Sequence, residues 1–183
     1  MPQYIAFLRA INVGGHTVKM ECLRTLFESL AFTSVETFIA SGNAIFQTTS
    51  RTASASLERK IERLLEEELG YEVPTFVRTP IEVATAAGLK VFRPSKNRKP
   101  EETLWIGFLK APLGDEARAR LLALQTKVDA FDVHGRELYW LRRRHLGESK
   151  ITGAKLERAL GGPTTMRNVT TVRKLSDRYH TKA

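Results

Sequence analysis

One cysteine, Cys22, stands in a chain of 183 residues. No intramolecular disulfide can form, which suits a reducing cytoplasm. Cys22 falls beside Leu23 on a predicted helix, where a small packed thiol is expected rather than a nucleophile. Long apolar runs are missing too: none approaches the ~18 residues of a membrane span. Met1-Pro2-Gln3 leads straight into a strand, without the charged and apolar regions of a secretory signal. Histidine is sparse and scattered, at His16, His134, His145 and His180. With no Cys-x-x-Cys and no His-Glu-x-x-His, no metal site and no cofactor is implied. Gly14-Gly15-His16-Thr17-Val18-Lys19 has the wrong spacing for the Gly-x-x-x-x-Gly-Lys phosphate loop. Ser149-Lys150 is not the Ser-x-x-Lys of acylating enzymes, and no Ser/His/Asp set assembles. The residues therefore name no nucleophile and no acid–base pair. Tyr4, Phe7 and Phe46 lack the motif of an RNA-recognition sheet and read as core.

What is present is an ordinary globular composition, 42% hydrophobic and 27% charged. The length allows one large domain or two small ones. Formal net charge is +9. Its distribution is uneven: from Arg142 to Ala183 there are 11 Lys/Arg and 3 Asp/Glu, against 18 and 17 in the first 141 residues. A basic C-terminal quarter favours anionic partners, nucleic acid among them, or simply keeps a solvated helix soluble.

Gln3 to Arg9 is almost continuously apolar, as in a central strand. Leu23, Leu26, Phe27 and Leu30 then repeat at helical spacing. Val35 to Ala40 and Ala44 to Thr48 read as strands around a Ser41-Gly42 turn. Leu57, Ile61, Leu64, Leu65 and Leu69 form the stripe of a second helix stopped by Gly70, with Glu62 and Glu66 to Glu68 on its solvated face. Tyr71 to Arg78 is a fourth strand, which Pro74 confines to an edge. Thr79-Pro80 opens a short helix that Gly88 closes. The order β-α-β-β-α-β predicts a ferredoxin-like α+β unit over residues 1–92, with strand order 4-1-3-2. A polar linker is expected at about 93–102. Residues 103–183 then read as a second α+β unit, β-α-β-β-α-α, partly similar to the first but without its fourth strand, and with a basic C-terminal helix from about Val169 to Tyr179.

Connectivity brings chemistry together. The first and second strands run parallel, so the loop after one and the hairpin after the other emerge at the same end of the sheet. Arg9, Asn12, Lys19, Ser41 and Asn43 are expected to converge there, with an anion-accepting nest near Gly14-Gly15. Ser41-Gly42-Asn43 serves equally as plain hairpin chemistry, and Gly14-Gly15 as plain loop chemistry. Thr164-Thr165-Met166-Arg167-Asn168 precedes the last helix, with Asn168 or Thr165 as N-cap. Arg167 would add to the pull of that helix terminus on anions.

Tyr4 to His16, Val18-Lys19-Met20 and Phe38 to Phe46 resemble the bacterial family catalogued as domain of unknown function 1697. Thr164 to Leu175 resembles the ending of the same family. One departure is Val169, where the family usually carries tryptophan. The resemblance implies a small cytoplasmic protein with ferredoxin-like units and supplies no reaction. It puts the family's characteristic polar residues at Arg9, Asn12, Lys19, Ser41, Asn43, Arg167 and Asn168. The expected function is binding of a phosphorylated small molecule or nucleotide at the end of the first strand. The alternatives are nucleic-acid binding through the basic quarter and a protein–protein interaction module.

Overall fold

The structure is a computed structural model that describes residues 1–12, 15–39, 42–49, 52–92 and 101–180. The expected linker lies largely outside these, at 93–100. The chain divides into two compact units, Met1–Val83 with the chain end from Tyr179, and Ala84–Arg178.

The first unit contains β1 (Gln3–Leu8), α1 (Met20–Ser29), β2 (Thr33–Thr37), β3 (Asn43–Gln47), α2 (Ser54–Leu69) and β4 (Thr75–Arg78), and the start of α3 (Pro80–Gly88). Its four strands form an antiparallel sheet in the order β2-β3-β1-β4. This is the sequence-derived order read from the other edge. β4 begins one residue after Pro74 and lies at the edge, where a residue without an N–H costs no ladder bond. Tyr4, Ala6, Leu8, Ala44 and Phe46 pack one sheet face against Leu23 and Phe27 of α1 and Leu57, Ile61 and Leu65 of α2. Phe46 stacks on Phe32 at 4.3 Å and meets Phe27 edge-on at 5.6 Å. Ile5 and Phe7, on the other face, are also fully buried, so β1 carries no alternation. Each such side chain contributes roughly 1.5–3 kcal/mol by leaving water.

Helix ends follow the expected chemistry. Gly70 closes α2 in the left-handed conformation, φ 78°. Thr79 and Glu82 form a reciprocal capping box at α3: Glu82 N–H donates to Thr79 Oγ1 at 3.2 Å, and Thr79 N–H to Glu82 Oε2 at 2.7 Å.

Two expectations fail in this unit. Cys22 is exposed rather than packed, because it sits one position off the Leu23 stripe, about 100° round the helix. Glu62 is half-buried rather than solvated, and accepts the Thr75 N–H at 2.8 Å at the start of β4.

The second unit contains the rest of α3, then β5 (Glu102–Phe108), α4 (Asp115–Leu122), β6 (Asp129–His134), β7 (Glu137–Arg143), a 3-10 turn (Arg144–Leu146), α5 (Gly153–Leu160), β8 (Thr165–Asn168) and most of α6 (Val169–Tyr179). Its antiparallel sheet has the order β6-β7-β5-β8. Here the expectation of a missing fourth strand is corrected. Thr165–Asn168 pairs with β5 from Phe108↔Thr165 to Trp105↔Asn168. Its polar side chains hid it, since two of them, Thr165 and Arg167, are the buried ones. Phe131, Val133 and Leu138 of this sheet pack on Leu121 of α4 and Leu156 and Leu160 of α5.

Candidate functional site at the end of the first sheet

β1 ends at Leu8, whose N–H donates to Gly42 O in the β2–β3 turn at 2.8 Å. The next N–H, of Arg9, donates to Pro74 O ahead of β4 at 2.9 Å. The connection is thus pinned on both sides as it leaves the sheet. Gly42 has φ +74°, and a Cβ there would stand 3.0 Å from Ile11 Cβ and 3.2 Å from Leu8 O. The loop and the turn therefore meet in contact, at a spot only glycine fits.

Within the loop, Ala10 (φ 60°), Asn12 (φ 55°) and Gly15 (φ 90°) are left-handed. For a non-glycine residue this costs roughly 1–2 kcal/mol. The side chains that hold the strain are visible. Asn12 Oδ1 accepts the Val18 N–H at 2.7 Å and closes the loop on itself. Ile11 and Val18 are buried in the core cluster below it. His16 stacks on Tyr71 at 3.9 Å between centroids, joining the loop to the segment before β4. The Tyr71 hydroxyl is buried with no partner among the described residues, and desolvation raises its pKa.

The expected residues divide as follows. Asn12 closes the loop, and Lys19 follows Val18 directly at its neck, exposed at the start of α1. Arg9 is half-buried and Gly15 exposed. Asn43 is fully buried opposite Phe7, and its amide donates to Phe38 O at 2.9 Å across the β2–β3 hairpin. Gly14 and Ser41 lie outside the described residues. Arg167 and Asn168 belong to the second unit. Arg167 is a β8 residue rather than part of a helix entry. It is 8% exposed, its Nη1 donates to Thr165 Oγ1 at 2.7 Å and to Met166 O at 3.1 Å, and burial lowers its pKa to about 10. Asn168 does cap α6, accepting the Thr170 N–H at 2.9 Å, while Thr165 is a strand residue.

Sequence reasoning missed two features of the first unit. One is a cleft of about 460 Å³ at the opposite end of the sheet, lined by Gln3, Glu36, Gln47, Thr79, Ile81 and Tyr179. Its acidic side chain, Glu36, accepts the Tyr179 hydroxyl at 2.8 Å, an unsuitable lining for a phosphate. The other is the fully buried Arg78 beside buried Glu58, at 3.8 Å, with Glu58 also accepting the Val77 N–H at 2.9 Å. Spacing could have found Glu58, which shares a helix face with Ile61 and Leu65.

Among the described residues, no group of three His, Cys, Asp or Glu is arranged to hold a metal ion, and no helix is long and apolar enough to cross a membrane. The fold is similar to that of the conserved bacterial protein SP0830 from Streptococcus pneumoniae: TM-score 0.71 and 24% identity, over 96% of this chain and 97% of that one. No curated protein matches the chain. The profile of a family described as "Protein of unknown function (DUF1697)" matches residues 1–139, a span that holds the first loop and the hairpin but stops short of Thr164 to Leu175. With three quarters of its length matched, the chain belongs to that family.

Proposed function

We propose that the loop between β1 and α1, together with the β2–β3 turn, binds a phosphorylated small molecule or nucleotide. The observation that carries this is the Leu8–Gly42 contact, where the two polar segments meet over a loop held in left-handed conformations. Backbone strain of this kind is retained when the surroundings over-determine it, as ligand sites do. Arg9 and Lys19 supply positive charge. Asn12 and Asn43 act indirectly, by fixing the loop and the hairpin. In this reading both units are ferredoxin-like, which their common strand order supports, and the protein works in the cytoplasm.

The test is a thermal-shift screen of nucleotides, sugar phosphates and cofactor phosphates at low and moderate salt. A ligand at 100 times its Kd stabilises by about 2.7 kcal/mol. A hit that survives moderate salt and disappears in Arg9→Ala supports the pocket. No hit, or hits indifferent to Arg9→Ala and Lys19→Ala, overturns it.

A further inference from the structure

The second unit carries an aromatic row that its helices are too short to cover along its whole length. α4 and α5 have eight residues each, about 12 Å of helix. β5 and β7 have seven each, about 23 Å of strand. The helices cover Val133, Leu138 and Phe131, and Trp140 packs at the edge of that cluster. The register continues the row from Phe131 through Trp140 and Trp105 to Asn168, across all four strands. Trp105 and Trp140 are half-buried.

Trp140 is fixed in place. Its Nε1–H donates to buried Asp129 at 2.9 Å, and its ring stacks on Phe131 at 5.4 Å. Arg142 lies over the Trp140 ring, Cζ 5.1 Å from the centroid. In the ladder Arg142 sits directly opposite Asp129. Yet no ion pair joins them: the carboxylate takes the indole, and the guanidinium rests on the indole face. The Arg142, Arg144 and His145 side chains make no hydrogen bond or ion pair with any described residue, and three atoms of this end of the unit, Trp105 Nε1, Arg142 Nε and His145 Nδ1, are buried without a partner. A guanidinium over an aromatic ring, without an ion-pair partner among the described residues, is a stacking surface for a second π-system and a donor to phosphate.

We propose that this end of the second sheet binds single-stranded nucleic acid, one unstacked base lying against the Arg142–Trp140 pair. The run Arg142-Arg143-Arg144 contacts the adjoining phosphates. The charge argues for this occupant over an apolar one, since three consecutive arginines, Arg142 to Arg144, stand at the end of β7. The site lies wholly in the second unit and is independent of the β1 loop.

The chain holds two tryptophans, both in this row, so intrinsic fluorescence reads the site directly. The full chain is titrated with single-stranded oligothymidylate at low salt. Stacking quenches the emission in a saturable way; Arg142→Ala weakens binding at least about tenfold; Arg63→Ala, an exposed cation on α2, matches the parent; a duplex of equal length does not quench. Should Arg142→Ala fail to fold by circular dichroism, Arg142→Lys keeps the charge without the plane and must still weaken the quench. Emission that stays flat, or a quench unchanged in the folded Arg142 variant, overturns the proposal.

Discussion

The two units share one strand order and differ in where they hold strain. Every described non-glycine residue with positive φ, namely Ala10, Asn12, Ala31, Ser34 and Ile39, lies in the first unit. In the second, the described residues with positive φ are glycines, at 135, 147 and 161. The connections differ in the same sense. Eleven residues join β1 to α1, and among the described ones Ala10, Asn12 and Gly15 are left-handed; six join β5 to α4, from Leu109 to Gly114. The short one borders an apolar cleft of about 220 Å³ against Gly161-Gly162-Pro163. One strand order thus carries a strained loop in one unit and a plain connector in the other. Strain that the strand order does not require is the ground on which the proposed ligand site rests.

The largest expected effect breaks the comparison in the helices. α2 brings Glu58 under the sheet beside Arg78, whereas no charged residue of the shorter α5 is buried. Glu58→Leu removes one charge of a fully buried pair and is expected to cost about 3–5 kcal/mol. Urea unfolding measures it; a loss under 1 kcal/mol would show that Arg78 is compensated by its other contacts.

Next come two glycines, one per unit. A Cβ at Gly42 meets backbone and Cβ atoms at 3.0–3.3 Å with φ +74°, while at Gly107 in β5 it meets the Met166 Sδ at 2.5 Å without a positive φ. Gly42→Ala combines strain with a contact that cannot give way, so roughly 2–4 kcal/mol is expected. Gly107→Ala faces a flexible thioether, but also Thr164 Oγ1 at 3.0 Å and Leu138 Cβ at 3.3 Å without the added backbone strain, and is expected to cost about 1–3 kcal/mol. The reverse ranking in thermal melts would mean that the loop and the turn do not constrain each other.

pH separates the units further. The Tyr139 hydroxyl donates to Ala86 O at 3.2 Å, and burial, with Glu137 and Asp132, raises its pKa well above the usual value. A raised folded pKa means the folded state holds its proton more tightly. That stability is complete below pH ~10 and is lost as pH climbs beyond it. Tyr139→Phe should flatten the alkaline limb of the stability curve. Tyr71→Phe, in the first unit, removes a second buried hydroxyl whose pKa is also raised and serves as the comparison.

The strands and helices with clear apolar periods were legible, and so was the meeting of loop and hairpin, because right-handed connectivity dictates it. β8 was not. It has four residues, two polar ones point inward, and the adjoining α6 gives the stronger pattern. Asn43 was found for its polarity, yet its amide serves the hairpin; a sequence does not show which polar residues the backbone has claimed. The half-buried tryptophans left no sign either, since their exposure depends on α4 and α5 ending early.

The smallest effect tests the loop itself. Asn12 does two things at once: it tolerates φ 55°, and its Oδ1 takes the Val18 N–H. Asn12→Gly keeps the backbone relaxed and loses the side-chain bond to Val18, so about 1 kcal/mol is expected. Asn12→Ala loses the bond and adds left-handed strain, for about 1 kcal/mol more. If the loop is held open for a ligand, both variants should also weaken any phosphate ligand found by thermal shift, although the Asn12 amide serves the loop. Equal losses for Gly and Ala would show that the loop relaxes out of its left-handed form. The contrast with the plain Leu109–Gly114 connector would then disappear, and with it the reason to place a site at the end of β1.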